Sequence, residues 1–300
     1  MKNISGIIFL FIMAAANAQQ MSVSGGTLKH YEKFESKFVE ARNVDVWLPD
    51  GYSTKEKYTV LYMHDGQMLF DANTTWNKQE WRVDETAGKL IKEGKTLKFI
   101  VVGISSIPEF RRGDYFPQNP FESLTKDEQD LLIKASTTGT KVNSDNYLKF
   151  IVTELKPFID KTFSTKKDRA NTMIAGSSMG GLISLYAICE YPEVFGSAAC
   201  ISTHWPGVLQ TENHNPIPDA LMDYISKNLP SPKNHKIYFD FGTATLDAVY
   251  EPHQIKVDSI METRGWTGEN WITKKFPGAD HSEKSWAERL DIPLLFLLGN

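Results

Sequence analysis

Short apolar runs and amphipathic stretches alternate along most of this chain. Residues 31–48 alternate at Val44, Val46 and Leu48 and predict one or two strands. Residues 58–63 form a short continuous apolar run stopped by His64-Asp65-Gly66-Gln67, and residues 99–104 are a β-branched run suited to a strand buried on both faces. Between them, residues 79–93 place Trp81, Ala87, Leu90 and Ile91 on one helical face. Further strands are predicted at 170–175, 195–202, 236–241 and 270–276. Helices are predicted at 147–163 (kinked at Pro157), 182–188, 219–228 and 254–264, with another from about Glu283 to the end. Strands alternating with helices define an α/β class: a mostly parallel, twisted sheet with helices on both faces. No repeat or linker-like stretch interrupts it, so a single domain is expected. Residues 105–143 break the rhythm, with Pro108, Pro117, Pro120 and four charges between Glu109 and Asp114, and read as a long surface excursion.

The N-terminus reads differently. Lys2 provides a positive start, residues 7–16 an apolar stretch, and Ala16-Asn17-Ala18 a small-residue cleavage site. Residues 1–18 are therefore expected to be a signal peptide and residues 19–300 the domain, exported to the periplasm or medium without a stable membrane anchor. The apolar stretch is shorter than the roughly 20 residues a membrane span needs. With 33 Lys and Arg against 37 Asp and Glu, the formal charge of −4 and the lack of a basic run argue against a nucleic-acid partner. The two cysteines, Cys189 and Cys200, lie in apolar surroundings and read as buried thiols rather than a disulfide framework.

The chemistry concentrates at Gly176-Ser177-Ser178-Met179-Gly180, a G-x-S-x-G pattern between an apolar strand and an apolar helix. A serine on such a turn is lifted above the helix N-terminus, where the Met179 amide and the helix dipole face a developing oxyanion. An alkyl hydroxyl needs a base, and the base needs an orienting acid. His281, in the loop after the last predicted strand, is the expected base. Asp247, in the loop after the penultimate strand, is the expected acid, with Glu251 and Asp240 as alternatives. The amide of Gln67, beside Gly66 in the loop after the run at 58–63, is the expected second oxyanion donor, and His64 is a candidate lining residue. Trp205, Tyr115 and Phe116 are candidate substrate-stacking residues, and Arg111 with Arg112 could meet an anionic group. No cluster with metal-ligand spacing and no cofactor motif is visible, so no metal and no cofactor is expected.

The segments YMHDGQMLFD, QEWRVDE, IVVGI, RRGDYFP, ELKPFID, AGSSMGGL, FGTATLD and FPGADHSEKSW run in order through nearly the whole mature chain. In them the chain resembles the putative-esterase branch of the α/β-hydrolases, which includes feruloyl and acetylxylan esterases, enterochelin-type siderophore esterases, esterase D and mycolyltransferases. The resemblance implies an α/β-hydrolase fold with Ser178 as nucleophile, His281 as base and an acid on the Asp247 loop. Many relatives carry a carboxylate sooner after the Gly-Thr pair, where this chain has Ala244 and Thr245. The implied activity is an exported serine carboxylesterase acting on ester decorations of polysaccharides, feruloyl or acetyl. Siderophore lactones are the alternative substrate, and an acyltransferase or an inert binding module on the same fold are alternatives of another kind.

Overall fold

The computed structural model describes residues 21–135, 141–208 and 215–300; the segment expected to be a signal peptide lies outside them. Eight strands form one sheet: β1 (Thr27–Phe34), β2 (Arg42–Leu48), β3 (Thr59–His64), β4 (Phe99–Ile104), β5 (Thr172–Ser177), β6 (Ser197–Ile201), β7 (Lys236–Gly242) and β8 (Trp271–Phe276). Their order is β1-β2-β4-β3-β5-β6-β7-β8. β1 and β2 are antiparallel, β2 meets β4 antiparallel, and every pairing from β4 to β8 is parallel. This is the mostly parallel α/β sheet that the alternation of patterns predicts, in the α/β-hydrolase-like arrangement that the family resemblance implies.

The central strands are buried on both faces, so side-chain alternation divides the core in two. Val60, Tyr62, Ile100, Val102, Ile174, Cys200 and Phe239 point to one side, against the helices Met179–Glu190, Ile217–Asn228 and Glu251–Thr263. Leu61, Met63, Val101, Met173, Ala199 and Tyr238 point to the other, against the helices Val83–Lys92 and Asp291–Leu298. Cys189 and Cys200 are buried free thiols.

Three expectations shift. The excursion after β4 is helical, with segments Pro108–Tyr115, Gln118–Glu122 and Lys126–Ala135. Pro108 opens the first of these, where its fixed φ suits a helix and its missing N–H is not needed. Around Pro157 the helix does not simply kink. Ser144–Phe150 passes into a wide π turn, Ile151–Leu155, before Lys156–Thr162 resumes α geometry, which relieves the clash of the proline ring with the preceding turn. The first helix starts at Val83 rather than 79, after Arg82 in a left-handed conformation. The chain before it carries Trp76 and Trp81.

Parallel strands present their carboxyl ends at one edge of the sheet, and that edge is where loops can gather side chains from distant parts of the chain. The loops after β3, β5, β6, β7 and β8 all open there.

Candidate active site

The turn after β5 has the geometry that its sequence predicts. Ser178 sits at φ 59°, ψ −121°, a conformation L-residues rarely hold, directly before the helix Met179–Glu190. Its backbone is over-determined: the Ser178 amide donates to the Ile201 carbonyl (2.9 Å), and the Ser178 carbonyl accepts from the amides of Gly181 (3.0 Å) and His204 (3.2 Å). The flanking glycines allow the sharp crossing. A Cβ on Gly176 would lie 2.8 Å from the Gly180 carbonyl oxygen, and one on Gly181 would lie 2.8 Å from Thr203 Oγ1. The Met179 amide makes no hydrogen bond among the described residues and stands at the positive end of the helix.

The loop after β3 comes over the same edge. Asp65 is left-handed (φ 56°, ψ 45°), and Gly66 presses against β4, where a Cβ would lie 2.6 Å from the Gly103 carbonyl carbon. Gln67 is pinned by its side chain: Nε2 donates to Ser106 Oγ (2.8 Å) and Oε1 accepts from the Ser106 amide (3.0 Å). Its own amide has no acceptor among the described residues. Two free amides, one from each loop, are what an oxyanion site requires.

His281 and Asp247 meet across the loops after β8 and β7, with His281 Nδ1 2.5 Å from Asp247 Oδ1. The imidazole is held edge-on between Trp286 (ring centroids 5.0 Å) and Tyr250 (5.9 Å). Asp247 Oδ2 accepts from Ser202 Oγ and from the Gly242 amide, both at 2.6 Å. Ser202 Oγ in turn accepts from Trp286 Nε1 (3.0 Å) and Arg289 Nη2 (2.9 Å). Arg289 forms a buried pair with Asp240, whose carboxylate also accepts from Tyr238 and from the Ser202 amide. The alternative acids are thus otherwise engaged: Asp240 with Arg289, and Glu251 with Lys275 at the surface. Burial pushes the Asp247 carboxyl up, but hydrogen bonds from His281 and Ser202, the His281 charge and the Gly242 amide outweigh it and hold the group below the ordinary carboxylate value.

Ser178 and His281 line one cleft of about 550 Å³. Contact between nucleophile and base tightens in many enzymes only when substrate is bound.

The predicted substrate-stacking residues lie elsewhere. Tyr115 is buried, its hydroxyl accepting from the Asp65 amide (3.2 Å) and its ring covered by Arg111 at 5.1 Å. Trp205 is buried against Phe239, with Nε1 donating to Gln254 Oε1. Each backs the site without reaching the cleft, because its ring completes the core more favourably than it would cover a solvated rim. Phe116 is likewise buried. Arg111 does line the cleft, but it holds Asp65 in a two-pronged pair (2.7 and 2.8 Å). His64 is buried against Tyr147, and burial lowers its pKa to about 3, so it is a neutral packing group.

The exposed aromatic of the cleft is Trp76, 84% accessible; Trp81 and Trp286 line the same cleft, buried and 5.3 Å from each other. Trp76 carries no periodic or motif signal, and its sequence neighbours Asn73 to Lys78 suggest only a polar loop. Ser202, Tyr250 and Arg289 are equally hidden, since each is an ordinary core or helix position until the fold brings it to Asp247 or, for Arg289, to Ser202 and Asp240.

A parallel-rich sheet with a strained serine elbow, a histidine–carboxylate pair and two free amides defines an α/β-hydrolase-type site. The chain belongs to the "Putative esterase" family, which it matches over residues 36–297. It is 29% identical over 190 residues to an endo-1,4-beta-xylanase/feruloyl esterase of Xylanibacter ruminicola, covering 60% of this chain and 22% of that protein. The uncharacterized Bacillus subtilis protein YjcH is 25% identical over 59% of this chain and 62% of its own length, so the chain spans under two thirds of these curated relatives. Among solved structures, a ferulic acid esterase from Anaeromyces mucronatus in complex with ferulic acid superposes with TM-score 0.62 at 21% identity, covering 92% of both chains. The enterobactin esterase FES from Shigella flexneri superposes with TM-score 0.61 at 16% identity, over 90% of this chain and 59% of that one. At these identities the two structures show likeness of fold.

The lowered Asp247 carboxyl has a consequence for acid stability. A group whose folded pKa lies below its unfolded value stabilises the protein above the ordinary carboxylate range, and that contribution is lost as pH falls through the folded value. In urea unfolding, the stability gap between wild type and Asp247→Asn should be full near pH ~7 and close below pH ~4. A gap independent of pH over that range would contradict the assignment.

Proposed function

We propose that this chain is an exported serine carboxylesterase that removes aromatic acyl esters, of the hydroxycinnamoyl type, from polysaccharide. The observation that carries the reading is the 2.5 Å contact of His281 Nδ1 with the buried Asp247, on a cleft shared with Ser178 and rimmed by an exposed tryptophan.

In this mechanism Ser178 Oγ attacks the ester carbonyl while its proton passes to His281 Nε2. Asp247 keeps the Nδ1–H tautomer and stabilises the imidazolium. The Met179 and Gln67 amides take the developing oxyanion, each worth about 3 kcal/mol in the transition state. Collapse breaks the bond to the alcohol oxygen, which leaves with the proton from His281. Water then gives a proton to His281 and attacks the acyl carbon; collapse breaks the bond from Ser178 Oγ to that carbon, His281 returns the proton to Oγ, and the acid leaves. Trp76 offers a flat apolar face at the rim, and the polar groups of Asn77, Gln79 and Ser106 on the same cleft suit a sugar alcohol. The xylanase/feruloyl esterase relative and the ferulic acid esterase fold support the aromatic acyl group.

The central test compares wild type with Ser178→Ala on aryl acetates, methyl ferulate, acetylated xylan and a catecholate lactone. Turnover should vanish in the folded variant, and methyl ferulate should give the highest kcat/KM in wild type. A faster catecholate lactone would move the substrate to siderophores. Folded wild type that a fluorophosphonate does not label at Ser178 would exclude a serine enzyme and favour a binding module, and capture of the acyl group by added sugar ahead of water would indicate an acyltransferase.

Stacking on Trp76 is checked by Trp76→Ala. KM for methyl ferulate should rise about three- to tenfold with kcat for an aryl acetate little changed, in keeping with the 0.5–1.5 kcal/mol of an aromatic contact. An unchanged KM would remove Trp76 from the substrate site.

Export through the leader at residues 1–18 is checked by intact mass of the protein made in its host. The expected mature form begins at Gln19 outside the cytoplasm; an uncut chain retained inside cells would contradict it.

A further inference from the structure

The loop that carries Trp76 runs between two buried carboxylates, Asp71 (5% exposed) and Asp84 (1%). One short segment before β1 grips both. Asp71 Oδ2 accepts from the Ser22 amide and hydroxyl, each at 2.9 Å, and its Oδ1 accepts from the Asn73 amide (2.9 Å). Asp84 Oδ2 accepts from the Ser24 amide (2.6 Å) and hydroxyl (2.8 Å), and its Oδ1 has no partner among the described residues. Met21 and Val23, alternating with the two serines, pack instead on the core layer of the helices Val83–Lys92 and Asp291–Leu298.

These donors matter because acids crowd beneath the loop. Glu80 and Glu85, like Asp84, each keep a buried oxygen without a partner among the described residues. Burial, with the charges of Glu85, Asp84 and Asp71, pushes the Glu80 carboxyl up to about 7. A buried carboxylate that loses its donors is driven toward water, and here it would carry a root of the loop with it. Farther along, Asn77 Nδ2 donates to Glu283 Oε2 (2.8 Å), and Gln79 Oε1 accepts from the Lys284 amide (3.2 Å). The Trp81 amide donates to the Met68 carbonyl (3.0 Å). A weakened grip at residues 22 and 24 therefore shifts the loop rather than freeing it. Trp76 lies on the stretch so held and lines the cleft with Ser178.

We propose that residues 21–24 form a strap in which Ser22 and Ser24 are positioning residues for substrate: by holding Asp71 and Asp84 they set the place of Trp76, and with it the selectivity for an aromatic acyl group. The inference rests on the reading of Trp76 as the residue that stacks on that group.

The test compares mature wild type with Ser24→Asp, Ser24→Asp combined with Asp84→Asn, Ser22→Ala combined with Ser24→Ala, and Trp76→Ala, on methyl ferulate and p-nitrophenyl acetate. Ser22 and Ser24 are exposed, so replacing them opens no cavity in the core. Ser24→Asp sets a second carboxylate against Asp84. It should raise KM for methyl ferulate about two- to fivefold, short of the Trp76→Ala effect, with kcat for p-nitrophenyl acetate little changed. Amide hydrogen exchange should quicken over residues 72–80 and stay as it was in the helix Met179–Glu190. Adding Asp84→Asn gives the new carboxylate an amide donor and should return KM toward wild type. Ser24→Asp made in Trp76→Ala should leave KM as Trp76→Ala has it, because the strap acts through that ring. If Ser24→Asp does not fold, the double alanine variant reads the same KM with a smaller rise. In folded variants, an unchanged methyl ferulate KM where Trp76→Ala raises it, or equal losses on both esters, would reduce the strap to packing and overturn the proposal. Should Trp76→Ala itself leave KM unchanged, the stacking assignment falls, and this inference with it.

Discussion

A carboxylate removed from water at the end of a sheet must find a donor for each oxygen, and the Asp247 carboxylate organises this molecule around that need. His281 serves one oxygen, and Ser202 with the Gly242 amide serves the other. Ser202 can donate to Asp247 because its own lone pairs are taken by Trp286 and Arg289. Arg289 in turn is tolerated inside only because Asp240 neutralises it. A line of buried polar groups thus runs from the C-terminal region through β7 and the loop after β6 to the histidine. Breaking such a line at one member leaves an unpaired buried group, so its members act as a unit.

The other wall of the site is built by close backbone approach. Gly66 lies on β4 nearer than any side chain would permit, and Gly176 and Gly181 let the elbow helix cross the ends of β5 and β6. Asp65, held by Arg111 and by the Tyr115 hydroxyl, fixes the loop that aims the Gln67 amide. Arg111 is better understood as a brace for this loop than as a free anion receptor. The cleft between the two walls presents Trp76 to solvent, with Asp65, Arg111 and Glu283 as the charged side chains of its lining besides His281.

Much of this was legible in the chain. Buried parallel strands write themselves as continuous β-branched runs, and β4 matches its run at both ends. The elbow was legible because it joins three local requirements in five residues: small neighbours, a preceding strand and a following helix. His281 and Asp247 could be selected because chain order and loop position narrow the choice. Trp205 and Tyr115 show the limit. An aromatic residue beside prolines and charges reads as a loop residue, yet both rings are driven inside by the area they bury. Trp76 shows the reverse, a large apolar side chain left in water.

The sequence by itself determined the alternation of strand and helix and the serine turn, and it narrowed the histidine and carboxylate candidates to His281 and the Asp247 loop, because these depend on local periodicity, turn sterics and order along the chain. The tertiary structure decided which carboxylate faces His281, which amides stay unpaired, which tryptophan meets solvent and that the His204 amide holds the Ser178 carbonyl. Those depend on contacts between residues far apart in sequence, such as Ser202 with Asp247 across 45 positions, and on the need to satisfy every polar group the sheet buries.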